Sequence, residues 1–181
     1  KFHNIVNVCP ALKERTIVLN GVSKAYSMTG WRIGYAAGNS EVIKKMKTLQ
    51  SQSTSCASSI SQAAATAALT QECTELPKMK SEYKKRHDFV VESLNKIDGV
   101  LCKETDGTFY VFPSFDEYIS KNKNISDDTE LAMLLLNQAK VAVVPGSAFG
   151  MSGHIRLSIA IDMDSLKKAM SRITSTLNDF K

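Results

Sequence analysis

One lysine and one arginine, Lys24 and Arg32, stand eight residues apart among small and hydroxylated residues in the segment 20–34. A lysine amine that loses its proton on partial burial becomes a nucleophile able to form a Schiff base with an aldehyde. An arginine keeps its charge and binds a phosphate through a planar set of N–H donors. The pair suits a flat ligand that carries both an aldehyde and a phosphate. From spacing alone, a basic turn on a solvated surface is an equally good interpretation.

The two basic residues lie between two predicted strands. Residues 16–19 are apolar and β-branched, which predicts a buried strand, and residues 34–38 predict a second short strand that ends at a glycine. The connection between strands is where backbone is exposed and where chemistry is usually found. Three hydroxyl side chains on this connection could also bind phosphate oxygens: Ser23, Ser27 and Thr29.

The run SKAYSMTGWRIG at residues 23–34 resembles the lysine signature of the class I and II pyridoxal-phosphate-dependent aminotransferases. In that signature, serine and lysine are followed by five variable positions and then by glycine-x-arginine-x-glycine. The resemblance implies that Lys24 is catalytic, forming the Schiff base with the cofactor pyridoxal 5'-phosphate and shuttling a proton to and from the substrate. It also implies that Arg32 binds the cofactor phosphate. The sequence departs from the family at Gly21, where a serine usually adds a hydroxyl to the phosphate site.

Two further motifs resemble the same family. The run VAVVPGSAFG at residues 141–150 resembles its valine-x-proline-glycine-x-x-phenylalanine-glycine segment, and the alternating strand 154–160 follows with Arg156 in its middle. A buried arginine needs an anionic partner, and the resemblance implies that Arg156 binds the substrate α-carboxylate. The alternative is an edge-strand arginine that points into water. Phe109 matches a family aromatic that borders the substrate, although a plain core aromatic is the competing interpretation.

The expected fold is α/β. Residues 1–70 are expected to form the last part of a large domain that binds pyridoxal 5'-phosphate (PLP), and residues 71–181 an interdomain helix plus a small α+β domain. A hairpin around Asp106–Gly107 is predicted to join two strands of the small domain. The serine-rich stretch 50–59 is expected to be an ordered loop, with a flexible linker as the alternative. Apolar periodicity predicts helices over residues 40–49, 60–69, 75–97 and 164–180, and a helix start at 126–130.

Composition excludes several classes of protein. With 181 residues, 43% of them hydrophobic, the chain can bury a core. A net charge of +5 with dispersed basic residues, and only 7% aromatic residues, argues against a nucleic-acid partner. No stretch approaches the roughly 20 apolar residues that span a membrane, and no signal peptide is evident, so we expect a cytoplasmic protein. Four scattered cysteines predict free thiols and no metal site.

The resemblance implies transfer of an amino group between an L-amino acid and a 2-oxo acid. The residues of these motifs look most like the bacterial aspartate or prephenate aminotransferase branch. The resemblance therefore implies aspartate as the amino donor and a homodimer as the assembly. The chain begins without an initiator methionine and aligns with the second half of such enzymes, so a C-terminal portion is expected. Two alternatives remain: a non-catalytic fragment or folding module, and a PLP-dependent lyase or synthase on the same fold.

Overall fold

A computed structural model describes residues 3–180 of the chain. The chain divides into two units between Leu76 and Pro77, and each unit has a sheet of its own. The sequence-based boundary at residue 70 concerns the family's two domains and stays a prediction. The two units are described separately below.

The first unit combines a two-stranded sheet with short and long helices. Strands β1 and β2 are antiparallel, and their register sets Gly21 opposite Gly34. Helix α2 continues to Ser53, so the predicted serine-rich loop shrinks to residues 54–58. The elements are α1 (Ile5–Val8), a 3₁₀ helix (Pro10–Arg15), β1 (Val18–Gly21), a 3₁₀ helix (Thr29–Trp31), β2 (Gly34–Ala37), α2 (Ser40–Ser53) and α3 (Ser59–Thr70).

The predicted burial of the first strand is wrong. Leu19 is 74% exposed and Ile17 is 44% exposed. Two strands alone form a ribbon that has no third strand beside it, and such a ribbon buries little of either face. Within the described part of this unit, the buried residues are Val22, Ser61 and Ala65, and of these Val22 is fully buried.

The second unit is built around an antiparallel three-stranded sheet in the order β3-β5-β4. Strand β5 is central, so it pairs on both sides. The elements are α4 (Glu75–Leu94), which begins at the boundary, β3 (Tyr110–Val111), α5 (Asp116–Lys121), α6 (Asp128–Leu134), a π-helix (Leu135–Ala139), β4 (Val144–Pro145), a 3₁₀ helix (Gly146–Phe149), β5 (Ile155–Ser158) and α7 (Met163–Asp179).

The hydrophobic core of the described chain lies in this second unit. Its largest fully buried side chain is Phe115. One face of α7 contributes the apolar stripe that the sequence predicted, and every member of that stripe is buried: Leu166, Met170, Ile173 and Leu177. This stripe repeats every three or four residues, which places it on one side of a helix and explains why α7 packs along its whole length.

The predicted hairpin around Asp106–Gly107 is wrong. Strand β3 pairs with β5, and Leu101 forms an isolated bridge with Ser114. The Asn95 side chain donates to the Cys102 carbonyl at 2.9 Å and accepts from the Cys102 N–H at 2.8 Å. Because one side chain satisfies both backbone groups of Cys102, those groups are not available for a strand ladder.

Gly146 allows close approach of two backbone segments, so an alanine at this position should destabilise the fold. A Cβ on Gly146 would overlap the Met151 carbonyl and lie 2.7 Å from the Cβ of His154. We expect Gly146→Ala to lower the free energy of unfolding by about 1–3 kcal/mol through overpacking. Gly107 has nothing within 4 Å, so Gly107→Ala is the control and should change stability by less than about 0.5 kcal/mol. Urea unfolding curves measure both, and equal effects would contradict this account of Gly146.

Candidate active site

Lys24 and Arg32 lie on one closed loop. Gly21 and Gly34 face each other across β1 and β2, so residues 22–33 leave the sheet and return to it at the same end. Both side chains are exposed on this loop. The structure therefore places the two residues that the sequence assigned to the cofactor on the same loop.

The backbone of this loop is unusual at two positions. Ser27 has φ of 54° and Arg32 has φ of 49°, in the left-handed region that residues other than glycine seldom adopt. Arg32 ends the 3₁₀ helix, and its Nη1 donates to the Thr29 carbonyl at 3.0 Å. A guanidinium has five N–H donors, so this bond leaves most of them for an anion. Strained backbone of this kind is concentrated at ligand sites.

The departure from the family signature at Gly21 is not imposed by lack of space. A Cβ at this position would meet the Ile33 carbonyl oxygen at 3.4 Å and the Gly34 Cα at 3.5 Å, both ordinary contacts. The loop nevertheless carries other hydroxyl donors, namely Ser23, Ser27 and Thr29. The donor set of the loop thus combines an amine, a guanidinium and hydroxyls.

In the second unit, Arg156 occupies the central strand β5 and is half-buried. Its Cζ lies 4.5 Å from the ring centroid of Phe149 and 5.4 Å from that of Tyr110. Among residues 3–180, no carboxylate lies within 4.0 Å of its guanidinium. Aromatic faces therefore stabilise this cation through cation–π contact.

Phe109 packs against the core of the second unit and is half-buried. Its carbonyl accepts a hydrogen bond from the Ile159 N–H at 2.8 Å, and its ring meets the Tyr110 ring edge-on at 5.3 Å between centroids. The role of Phe109 beside the substrate stays a prediction. Sequence reasoning missed Tyr110, which is the neighbouring aromatic that contacts Arg156. Side chains alternate along a strand, and this alternation was the available signal that residues 109 and 110 face different surroundings.

Asp128 is a second residue that sequence reasoning missed. It is 2% exposed, its Oδ2 accepts from the Ser147 N–H at 2.7 Å, and its Oδ1 accepts from the Gly153 N–H at 3.3 Å. The preceding Asp127 caps α6 instead, accepting from two backbone N–H groups of the first turn at 2.8 Å. Two consecutive aspartates at a helix start were the signal, because one cap needs only one of them.

The two amides also set the charge state of Asp128. Burial alone would raise the pKa of this carboxyl, but the hydrogen bonds from Ser147 and Gly153 outweigh burial and hold the pKa below its ordinary value of 3.8. Asp128 is therefore an anion at neutral pH, and its charge is stabilised by backbone donors.

The structure of the described residues supports neither a reactive cysteine nor a metal site. Burial raises the pKa of the Cys102 thiol to about 11, so it is a poor nucleophile. Within residues 3–180, no group of three or more histidine, cysteine, aspartate or glutamate side chains is arranged to hold a metal ion. No helix in the same part of the chain has the length and apolar character needed to cross a membrane.

Comparison with known proteins covers most of the chain. The profile of the family described as aminotransferase class I and II matches residues 2–173. The chain is 47% identical over 182 residues to the aspartate/prephenate aminotransferase of Nitrosomonas europaea, covering 98% of this chain and 46% of that protein. It is 49% identical over 170 residues to an aspartate aminotransferase of Rhizobium meliloti, covering 92% of this chain and 42% of that protein.

Solved structures give the same picture for the fold. The aspartate aminotransferase from Rhizobium meliloti matches with a TM-score of 0.94 and 45% identity, over 99% of this chain and 46% of that one. The aromatic aminotransferase from Pyrococcus horikoshii matches with a TM-score of 0.89 and 34% identity, over 99% of this chain and 47% of that one. These neighbours have the fold expected from the sequence. The chain spans about half the length of the relatives it matches.

The lowered pKa of Asp128 predicts how stability depends on pH. A carboxyl whose pKa is lower in the folded state stabilises the fold above its unfolded pKa, and that contribution is lost as pH falls through the folded pKa. We expect Asp128→Asn to cost about 1–3 kcal/mol at neutral pH, because an amide cannot accept both N–H groups. As the pH falls below the ordinary carboxyl pKa of 3.8 and through the lower folded pKa, the wild-type carboxyl also takes up a proton, and the two proteins should approach each other. Urea unfolding at a series of pH values measures the gap, and a gap that stays constant would contradict the prediction.

Proposed function

The chain belongs to the aminotransferase class I and II family, and on that premise we propose that it contributes to amino-group transfer between an L-amino acid and a 2-oxo acid. The observation that carries the proposal is the placement of Lys24 and Arg32, at the family's spacing, on the closed loop 22–33. Aspartate is the proposed donor, because the relatives described above are named aspartate or aspartate/prephenate aminotransferases.

Pyridoxal 5'-phosphate is the proposed cofactor, and the donor set of the loop fits it. Lys24 offers an amine to the cofactor's aldehyde, and Arg32 offers unused N–H donors to its phosphate. Hydroxyls on the same loop can add hydrogen bonds to the phosphate oxygens. When bound, the cofactor supplies a conjugated ring that accepts the electron pair left on the substrate α-carbon when its proton is removed.

The chain's own residues then have separate tasks. The Nζ atom of Lys24 would hold the cofactor through its aldehyde and would accept and return the proton of the substrate α-carbon. Arg156 binds the α-carboxylate through paired N–H donors and so orients the amino group. Phe109 is proposed to border the substrate side chain.

We also propose a homodimer that acts in the cytoplasm. Exposed apolar side chains flank the serine-rich segment of the first unit, with Leu49 72% exposed before it and Ile60 71% exposed after it. Apolar side chains of this size at the surface favour burial against a partner. The four cysteines, which form no disulfide within the described chain, fit a reducing compartment.

The alternative of a non-catalytic fragment is favoured by one observation. In the described part of the first unit, which carries Lys24, the buried residues are only Val22, Ser61 and Ala65. A loop supported by so small a core is not held rigidly enough for catalysis, since a displacement of about 1 Å can cost about a hundredfold in rate. We therefore propose that the 181-residue chain assayed by itself shows little or no turnover.

The role of Lys24 is tested in the full gene product that contains this sequence. With pyridoxal 5'-phosphate added, borohydride reduction should attach the cofactor to the peptide that contains Lys24, as read by mass spectrometry. Lys24→Ala should abolish the attachment and lower turnover of aspartate with 2-oxoglutarate by at least about a hundredfold, because both nucleophile and proton carrier are lost.

Lys44→Ala, which removes an exposed lysine on α2 of the same unit, is the matched control and should retain both attachment and turnover. Formation of a new amino acid in equal amount to the aspartate consumed identifies transfer, whereas release of ammonia identifies a lyase. Attachment at another lysine, or turnover that survives Lys24→Ala, would contradict the proposal. The 181-residue chain is assayed in parallel.

Arg156→Ala tests carboxylate binding. Losing a desolvated, charge-assisted pair costs about 2–5 kcal/mol, so KM for both the amino acid and the 2-oxo acid should rise steeply. Cofactor affinity should change by less than about threefold, because its phosphate is assigned to Arg32. Arg172→Ala on α7 removes an exposed arginine of the same unit as a control. Equal losses of substrate and cofactor binding would show that Arg156 binds a different anion.

A further inference from the structure

One buried carboxylate, that of Asp128, accepts two backbone hydrogen bonds from the turn between β4 and β5, in addition to backbone bonds of the turn such as Gly146 N–H to the His154 carbonyl at 2.7 Å. Asp128, the first residue of α6, accepts from the N–H groups of Ser147 and Gly153, which lie 19 and 25 residues away along the chain. Among the described residues, no cation lies within 4.0 Å of this carboxylate. The charge of Asp128 is therefore stabilised by hydrogen bonds from Ser147 and Gly153 and not by a cation.

The two amides bracket the aromatic residue that contacts Arg156. Phe149 lies between Ser147 and Gly153, at the end of the 3₁₀ helix that begins the turn. Its ring centroid is 4.5 Å from the Arg156 Cζ. Phe149 is 50% exposed and makes one edge-on ring contact, with Phe112 at 6.1 Å. Since packing covers only half of this side chain, its position depends on how the turn is held.

Among the side chains of this size, only a carboxylate can accept hydrogen bonds from both the Ser147 and the Gly153 N–H groups. Two backbone N–H groups point at the same side chain, and a carboxylate offers an acceptor oxygen to each. An amide offers one acceptor and one donor, so it would place an NH₂ group against a backbone N–H. The site is thus specific for aspartate chemistry rather than for a small polar side chain in general.

We propose that Asp128 is a positioning residue for the carboxylate-binding arginine, acting through the turn and the Phe149 ring on Arg156. Paired binding of a carboxylate requires the plane of the guanidinium to be fixed, because both N–H donors must meet both oxygens. Asp128 binds two amides of the turn, the turn carries Phe149, and the rings of Phe149 and Tyr110 both contact the guanidinium of Arg156. The inference rests on the proposed role of Arg156 and extends it.

The test uses the full gene product and follows KM, kcat and cofactor affinity separately. Asp128→Asn should raise KM for the amino acid and the 2-oxo acid by about fivefold or more, with cofactor affinity and kcat changed by less than about twofold. Asp127→Ala removes the helix cap from the neighbouring residue while leaving the turn's acceptor in place. Asp127→Ala should lower stability and leave KM unchanged. This comparison separates an effect of Asp128 on the position of Arg156 from a general destabilisation of α6.

A double-mutant cycle shows whether Asp128 acts through Arg156. In an Arg156→Ala background, Asp128→Asn should raise KM by less than about twofold, because there is no guanidinium left to orient. Phe149→Leu, at a half-exposed position, gives a second measurement that does not depend on Asp128→Asn folding. It should raise KM in the wild-type background and not in the Arg156→Ala background.

The possible results separate this inference from the function it rests on. If Arg156→Ala leaves KM unchanged, the carboxylate role of Arg156 is wrong, and the role of Asp128 is wrong with it. If Arg156→Ala raises KM but Asp128→Asn or Phe149→Leu does not, the positioning role alone is overturned. A rise in KM that is as large in the Arg156→Ala background as in the wild type would also overturn it.

Discussion

The second unit depends on how it accommodates a guanidinium in the central strand of its sheet. Arg156 pairs through its backbone with Val144 on β4, so its strand cannot move outward to hydrate the charge. A half-buried cation without a carboxylate partner needs other stabilisation. The rings of Tyr110 and Phe149 supply it. The turn that presents Phe149 must therefore sit close to β5, which is why it requires a glycine at 146 and a buried acceptor beneath it.

The two arginines with proposed anion partners are oriented in different ways. Arg32 belongs to a loop, and its direction is set locally, by a left-handed backbone and a hydrogen bond to a carbonyl three residues away. Arg156 belongs to a strand, and its direction is set by rings outside that strand, Phe149 in the preceding turn and Tyr110 on β3. A loop residue can adjust to a ligand when it arrives, whereas a strand residue offers a fixed plane. A phosphate accepts donors from many directions, but a planar carboxylate requires alignment, so each arginine is on the element that suits its proposed anion.

The sequence predicted the elements better than their surroundings. Local periodicity identifies the longer helices, including the buried face of α7, but not the short helices α1 and α5. It also places Lys24 and Arg32 on one connection, because strands on both sides are evident from composition. It gave the wrong burial for β1, since burial depends on what covers a strand. It also predicted a hairpin that the Asn95 side chain prevents. Asp128 was missed for the same reason, because side-chain bonds to distant backbone leave no periodic pattern.

The second unit contains a buried anion, Asp128, and a half-buried cation, Arg156, yet the two do not form an ion pair with each other. A direct pair would satisfy both charges, but it would also occupy the N–H donors with which Arg156 is proposed to bind substrate. Backbone amides satisfy the aspartate, and aromatic faces satisfy the arginine without using its donors, because a ring contacts the plane of the guanidinium and not its edge. The acid can then influence the arginine's orientation through the turn while leaving its hydrogen-bonding edge open. Placing the two charges apart is what allows one to organise the site and the other to bind.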